Sequence, residues 1–418
     1  MKMETVTIAD VGRVVTGRTP LTKKPEFYGA DYPFITPSDI TDVTPFVQPE
    51  RFISEAGREK HRTAMIPKDT VCFTCIASIG KMCIADCLSL TNQQINSIIV
   101  NKGKFAPRYI YYLLRTETER IAGIASGAAT PIINKSMFSE IKLDVHILSV
   151  QQKIAFILST YDDLIQNNLR RIKILEEMAQ VLYREWFVKF HFPGHEKVKF
   201  VDSPLGKIPE GWELIPMEHV CSRITDGAHR SPKSVEEGFS MASVKDMHDW
   251  GINVESCRKI SAEEFQNLER NDCIMRKDDV LIAKDGSYLK HCFVVEENLD
   301  IALLSSIAML RPNEKMNHHL LAMTLKNPKT KARMKGYVSG AALPRIILKE
   351  FRQFLIILPP AELQKKWARL ACSNIVLCWN LVKKNKNLRQ TRDFLLPKLI
   401  SGELDVSDLN IKIPKETS

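Results

Sequence analysis

The sequence predicts an α+β fold in which a strand-rich globular unit and a long helix are each written twice. Two observations carry this. Landmarks recur at a long period: Gln151, in Leu-Ser-Val-Gln-Gln-Lys-Ile, returns 213 residues later as Gln364 in Ala-Glu-Leu-Gln-Lys-Lys-Trp. Ser126-Gly127-Ala128-Ala129-Thr130-Pro131 returns at the same shift as Ser339-Gly340-Ala341-Ala342-Leu343-Pro344, and Pro67-Lys68-Asp69-Thr70-Val71 answers to Arg276-Lys277-Asp278-Asp279-Val280 at a shift of 209. Such a period lies far beyond the ~20–50 residues of solenoid units, so it marks a duplicated domain. The second observation is a heptad-like apolar seam that follows each globular stretch.

In chain order, residues 1–148 form the first globular unit. Short runs rich in β-branched residues (Val14-Val15, Pro33-Phe34-Ile35, Thr70-Val71-Cys72-Phe73, Ile95 to Val100) are separated by Gly, Pro, Asp and Asn turns. A helix is expected from Pro107 to Ile121, with Ile110, Leu113 and Leu114 on one face. Residues 149–190 form the central long helix. Ile154, Leu158, Tyr161, Ile165, Asn168, Ile172, Leu175, Ala179, Leu182 and Trp186 recur at gaps of four and three, with Asp162, Asp163, Arg170, Arg171, Lys173, Glu176 and Glu177 on the other face. At 1.5 Å per residue the helix would reach about 60 Å.

Residues 191–211, rich in Pro and Gly, read as a fixed, irregular connector. Residues 212–360 repeat the globular plan. Residues 361–396 repeat the seam as Trp367, Ala371, Asn374, Cys378, Leu381, Asn385, Leu388, Arg392 and Leu395, ending before Pro397, with 397–418 as a tail. The two helices are expected to pair antiparallel as a coiled coil, with Asn168 and Asn374 setting register inside the seam.

Composition limits the function. Lys and Arg number 59 against 49 Asp and Glu, a net charge of +10, which favours a polyanionic partner and nucleic acid before membrane. A basic soluble protein without such a partner stays open on charge alone. No apolar run approaches the ~18 residues of a membrane span, and Met1-Lys2-Met3-Glu4-Thr5 has no signal-peptide core, so a cytoplasmic location is expected. Cys72, Cys75, Cys83 and Cys87 have a zinc-like spacing, but the second copy puts Leu281, Lys284, Cys292 and Glu296 there, which favours buried free thiols.

Three phrases resemble one family. Glu185-Trp186-Phe187-Val188-Lys189-Phe190, Ser203-Pro204-Leu205-Gly206-Lys207-Ile208-Pro209-Glu210-Gly211-Trp212 and Leu395-Leu396-Pro397-Lys398-Leu399-Ile400-Ser401-Gly402-Glu403-Leu404 are similar to the specificity subunits of type I restriction-modification systems. The resemblance spans nearly the whole chain. It implies two target-recognition domains, each reading one half of a split site on double-stranded DNA. It further implies that the helices hold them apart and dock two methyltransferase (modification) subunits, with ATP-dependent restriction subunits joining later. Adenine N6 as the modified atom also comes from the resemblance alone.

The motifs that are missing agree. There is no Gly-x-x-x-x-Gly-Lys-Ser/Thr loop, no Gly-x-Gly-x-x-Gly after a strand, no Asn/Asp-Pro-Pro-aromatic tetrad and no His-Glu-x-x-His. The chain is therefore expected to be non-catalytic, without cofactor or metal. Two rivals stand beside this reading: a scaffold whose duplicated domains bind protein and no DNA, and a self-contained bipartite-site methyltransferase or nuclease.

Phosphate contacts need cations and hydroxyls, and base edges need Arg, Lys, Asn, Gln, Ser or Thr. The candidates in the first copy are Arg18, Thr19, Lys23, Lys24, Lys60, Arg62, Ser78 and Lys81. In the second they are Arg223, Thr225, His229, Arg230, Lys284, Ser287, Tyr288 and Lys290. Scaffold positions should match between copies and readers should differ. Ser126-Gly127 with Ser339-Gly340, Pro131 with Pro344 and Gln151 with Gln364 are thus scaffold or phosphate-facing. The loops 17–24 and 223–233, and 78–81 and 284–291, are candidate readers.

Overall fold

A computed structural model describes residues 3–125, 130–286, 289–340 and 344–413. The chain divides into two compact units: Met1–Leu169 with Lys384–Ser418, and Arg170–Lys383. Each unit thus takes half of each long helix.

The units share one strand plan. In the first, a four-stranded antiparallel sheet runs in the order Gly12–Thr16, Ile95–Val100, Val71–Thr74, Met82–Ile84; in the second the order is Cys221–Asp226, Ile307–Pro312, Val280–Ala283, Cys292–Val294. A second sheet centres on a parallel pair in both, Tyr32–Ile35 with Ser89–Thr91 and Phe239–Ala242 with Ile301–Leu303. A two-stranded ribbon, Met3–Thr7 with Lys142–His146 or Glu213–Pro216 with Leu355–Leu358, leads into each long helix. Val14-Val15, Phe34-Ile35 and Ile95 to Val100 are strands as expected. The helix expected from Pro107 breaks at Glu117 into Pro107–Thr116 and Thr118–Ala122.

The central helix is α-helical over Leu148–Tyr183 and widens to π geometry over Arg184–Val188. The C-terminal helix runs from Ala361 to Ser401 and so passes through Pro397. Proline removes one backbone donor and crowds the preceding turn. The helix continues because Leu396, Leu399, Ile400 and, beyond it, Val406 are buried in the apolar core of the first unit. The connector is more regular than expected, since Phe200–Ser203 and Gly206–Pro209 form a hairpin.

The matching glutamines are built into identical joints. Gln151 accepts from the amide of Ala106, the cap of the Pro107 helix, at 3.0 Å, and donates to the His146 carbonyl at 2.7 Å. Gln364 accepts from Asn317, the cap of the His318 helix, at 3.0 Å, and donates to the Pro359 carbonyl at 2.9 Å. Both are buried, so they are scaffold and not phosphate-facing.

In the first unit, buried Asn168 donates through Nδ2 to Oδ1 of Asn385 at 2.8 Å. Asn374 is not the register partner; it is only half-buried. Asp162, assigned to the charged face, is buried, pairing with the Arg392 guanidinium and accepting from the Tyr112 hydroxyl. Burial pushes its carboxyl pKa up, and the Arg392 charge pulls it back. In the second unit, Ile172, Cys378 and Leu381 cluster, and Trp367 meets Phe187 edge-on at 5.8 Å.

Cys72 and Cys83 face each other across two strands in one apolar cluster, Cys75 lies in another, and Cys87 is exposed. The four thiols do not converge on one point.

Candidate nucleic-acid interface

A short turn, Asn92-Gln93-Gln94, sits where three elements of the first unit end. The Arg18 amide donates to the Thr91 carbonyl at 2.8 Å, the Asn92 amide to Ile35 at 3.1 Å, and the Cys75 amide to Gln94 at 2.7 Å. Leu304-Ser305-Ser306 does the same in the second unit. There Ala228 donates to Leu303 at 2.8 Å, Leu304 to Ala242 at 2.8 Å, and Lys284 to Ser306 at 2.9 Å. Each bond of one copy has its equivalent in the other, while the side chains differ at every position of the turn.

Glycine permits the close approach. A Cβ on Gly17 would stand 2.2 Å from the Asn92 carbonyl oxygen, and one on Gly227 2.0 Å from that of Leu303. Gly17 therefore corresponds to Gly227, Arg18 to Ala228 and Thr19 to His229. The strand registers agree, pairing Arg13 with Ile99 and Arg223 with Arg311.

Of the expected first-copy residues, Arg18 and Thr19 are tied to the turn, Arg18 by its amide bond to Thr91 and Thr19 by its side chain. Arg18, Lys23, Lys24, Lys60, Arg62, Ser78 and Lys81 are exposed, as is Thr19, whose hydroxyl donates to Oε1 of Gln93. Arg18 and Lys60 lie near His61: burial first, and then these two charges, lower its pKa. Lys81 donates to the Pro37 carbonyl at 3.2 Å, two residues beyond the Ile35 that holds Asn92. Lys24 is tied at 3.4 Å to Glu26. Ser78 lies in the turn between Val71–Thr74 and Met82–Ile84, where the Thr74 hydroxyl caps its carbonyl.

The second copy departs from expectation. Arg223 and Thr225 lie within the strand Cys221–Asp226 and not on a loop, and the Arg223 Nε contacts Asp272 at 2.8 Å. Lys284 is buried, with its Nζ 3.0 Å from Asp226 and 3.4 Å from Asp285. Two carboxylates offset its charge, so it braces the site from within and offers no exposed cation. His229 contacts Asp226 at 3.2 Å and is exposed, like Arg230 and Lys290. Ser287 and Tyr288 lie outside the described residues, as do Ser126-Gly127. Pro131 and Pro344 act as scaffold: their carbonyls accept from Ala77 at 3.1 Å and Gly286 at 2.9 Å.

Sequence reasoning missed the two turns. Asn-Gln-Gln and Leu-Ser-Ser share no residue, so no repeat signal could align them. Among the described residues no group of His, Cys, Asp or Glu has the arrangement of a metal site. No described helix is long and apolar enough to cross a membrane.

Residues 1–177 and 209–370 match the type I restriction modification DNA specificity domain. The chain is 29% identical over 408 residues to the type I restriction enzyme MjaIX specificity subunit of Methanocaldococcus jannaschii, covering 96% of this chain and 93% of that one. It is 30% identical over 175 residues, 40% of its length, to the HindI specificity subunit of Haemophilus influenzae. The crystal structure of a type I restriction-modification S subunit from M. genitalium shares the fold, at a TM-score of 0.63 and 16% identity with 96% of each chain covered. The chain belongs to the type I restriction-modification DNA specificity family, and is a non-catalytic, sequence-specific DNA-binding subunit.

Proposed function

We propose that each unit reads one half of a split DNA site through its glycine-pinned turn and the side chains around it. One observation carries the proposal: three backbone hydrogen bonds fix the turn identically in both copies while the side chains on it differ. A common scaffold with divergent tips suits two different half-sites, because phosphate contacts position a protein and base contacts specify. In the first unit Arg18, Lys23, Lys24, Lys60, Arg62 and Lys81 contact phosphates, with Thr19 and Ser78 beside the bases. In the second, Arg230 and Lys290 take the phosphate role, and His229 and Thr225 line the reading face. Arg223 is a weaker candidate, since Asp272 already engages it.

The long helices pair antiparallel as a coiled coil and separate the two readers. Supporting this, contact numbers fall on one helix as they rise on the other, Asp162 with Arg392 then Asn168 with Asn385 in one unit, and Ile172 with Cys378 then Phe187 with Trp367 in the other. Exposed Leu164, Leu169, Ile174, Met178 and Val181 on the central helix, with Leu370 and Leu377 on the other, suit docking of two methyltransferase subunits, restriction subunits joining the assembled complex.

The test exchanges residues 4–147 for the equivalent domain of a relative and maps methylated sites in cells that supply the methyltransferase. One half of the motif should change and the other persist. Simultaneous change of both halves would overturn the two-reader model.

A further inference from the structure

We infer that Gln93 is a specificity-determining residue of the first half-site and that it reads an adenine. This rests on the DNA-reading role proposed for the turn. Gln93 is exposed at the crown of that turn, while its neighbours Thr91 and Asn92 are buried and Gln94 is half-buried. The backbone beneath it is fixed from three sides by Arg18, Ile35 and Cys75, and by Gly17, whose missing Cβ lets the chains touch. A side chain on so constrained a base loses little freedom when it meets a ligand.

The amide itself is already oriented. The Thr19 hydroxyl donates to Oε1, which occupies one of that oxygen's two lone pairs. The second lone pair and both Nε2 hydrogens have no partner among the described residues. One acceptor beside one donor is what the major-groove edge of adenine requires, the N6 amino group donating and N7 accepting. Guanine presents two acceptors there, cytosine a lone donor, and thymine an acceptor beside a methyl group, so none satisfies both halves of the amide. Arg18, bonded through its amide to Thr91 at the foot of the turn, and Lys60, which with Arg18 acts on His61, supply positive charge that draws a phosphate backbone here. The second copy has Ser305 at the equivalent point, and a serine hydroxyl both donates and accepts without fixing one base. The two crowns therefore differ in stringency.

Two arms use the full chain together with its methyltransferase partner. In cells, modified bases are mapped genome-wide for Gln93, Gln93→Ala and Gln93→Glu. Wild type should give a motif with an invariant A·T pair in the half assigned to residues 4–147. Gln93→Ala should make that one position degenerate and leave the other half intact. Gln93→Glu keeps the shape but replaces the donor with an acceptor, and should abolish the adenine preference or move it to cytosine. In vitro, the purified complex selects from duplexes randomised over that half-site. Discrimination at the single pair should fall roughly 10- to 100-fold for Gln93→Ala.

An unchanged motif in both variants overturns the inference, as does an equal loss at all positions in a complex that still assembles and binds duplex. If instead no methylated motif depends on this chain, the DNA-reading proposal itself fails. The two failures are thus told apart.

Discussion

The halves of the long helices that meet in the first unit are joined by polar groups, whereas the corresponding positions of the second unit are apolar. At the 213-residue shift, Asp162 corresponds to Ile375 and Arg392 to Ala179, while Asn168 corresponds to Leu381 and Asn385 to Ile172. A buried ion pair and an amide pair in one unit are thus replaced by Ile, Ala, Leu and Ile in the other, all four in apolar clusters. Duplication kept the geometry and changed what holds it. An apolar seam tolerates sliding and rotation by one turn, but a buried guanidinium that must reach Asp162 on the other helix does not. We read the polar half as the part that sets register and the apolar half as general adhesion.

The largest effect expected from this comparison is the loss of one ionic partner. Arg392→Met would leave Asp162 buried with only the Tyr112 hydroxyl, at a cost of about 3–5 kcal/mol. A trim at the equivalent pair of the second unit, Ile375→Val at the position of Asp162, removes one methylene and should cost about 1 kcal/mol. Urea unfolding of both variants followed by circular dichroism checks the ratio. Equal losses would show that the ion pair does no more than the apolar contact it replaces.

A second contrast concerns titration. By the joints at Gln151 and Gln364, Arg108 corresponds to His319. Arg108 pairs with Asp163 at 2.9 Å near the surface, whereas buried His319 lies 3.7 Å from Glu296. Burial first, then the charges of His318 and Lys326, depress His319 to about 3. Burial first, then Asp278, raises Glu296 to about 7.

The signs oppose. Depressed His319 contributes stability present above about pH 6.5 and lost as pH falls toward 3, because the unfolded chain binds the proton first. Raised Glu296 contributes stability present below about 4.5 and lost as pH rises through 7. Between 4.5 and 6.5 the two slopes largely cancel. Glu296→Gln should unmask the histidine, so that the second unit loses about 2 kcal/mol between pH 6.5 and pH 5, at ~1.4 kcal/mol per pH unit. Denaturant titrations at both pH values, wild type against variant, would show it. An equally flat profile in the variant would mean that His319 takes up its proton in the folded state.

Much of this architecture is legible in the sequence because duplication and helix periodicity are long-range signals. Gln151 and Gln364 announce identical joints before any coordinate is known. What stays hidden is pairing across space. Lys284 sits among charged loop residues and reads as an exposed cation, since nothing local reveals Asp226 beneath it. Asp162 reads as a surface charge because its partner, Arg392, lies 230 positions away. Pro397 reads as a helix end because the apolar core that carries the helix past it belongs to the first unit. The reading turns are hidden for the reason that makes them candidates: their equivalence lies in the backbone, and their side chains have diverged.

The smallest expected effect tests whether the amide pair sets register or merely fills space. Asn168→Leu with Asn385→Ile copies the second unit's residues into the first. Replacing both partners of a buried hydrogen bond by apolar groups is close to neutral, so the double variant should match wild type within about 1 kcal/mol or gain that much. Asn385→Ile alone should lose about 1–3 kcal/mol, because Asn168 is left buried without its partner. The stability of the double variant therefore says little; its register says more. Cysteines placed at one pair of facing positions, and at positions one helical turn away, would crosslink only in the first arrangement in wild type. In the double variant both arrangements should crosslink, since one polar contact that specifies alignment has been removed while the seam has become more uniformly apolar. Crosslinking confined to the original arrangement would assign register to Asp162 and Arg392 alone, and would make the asparagines a packing detail.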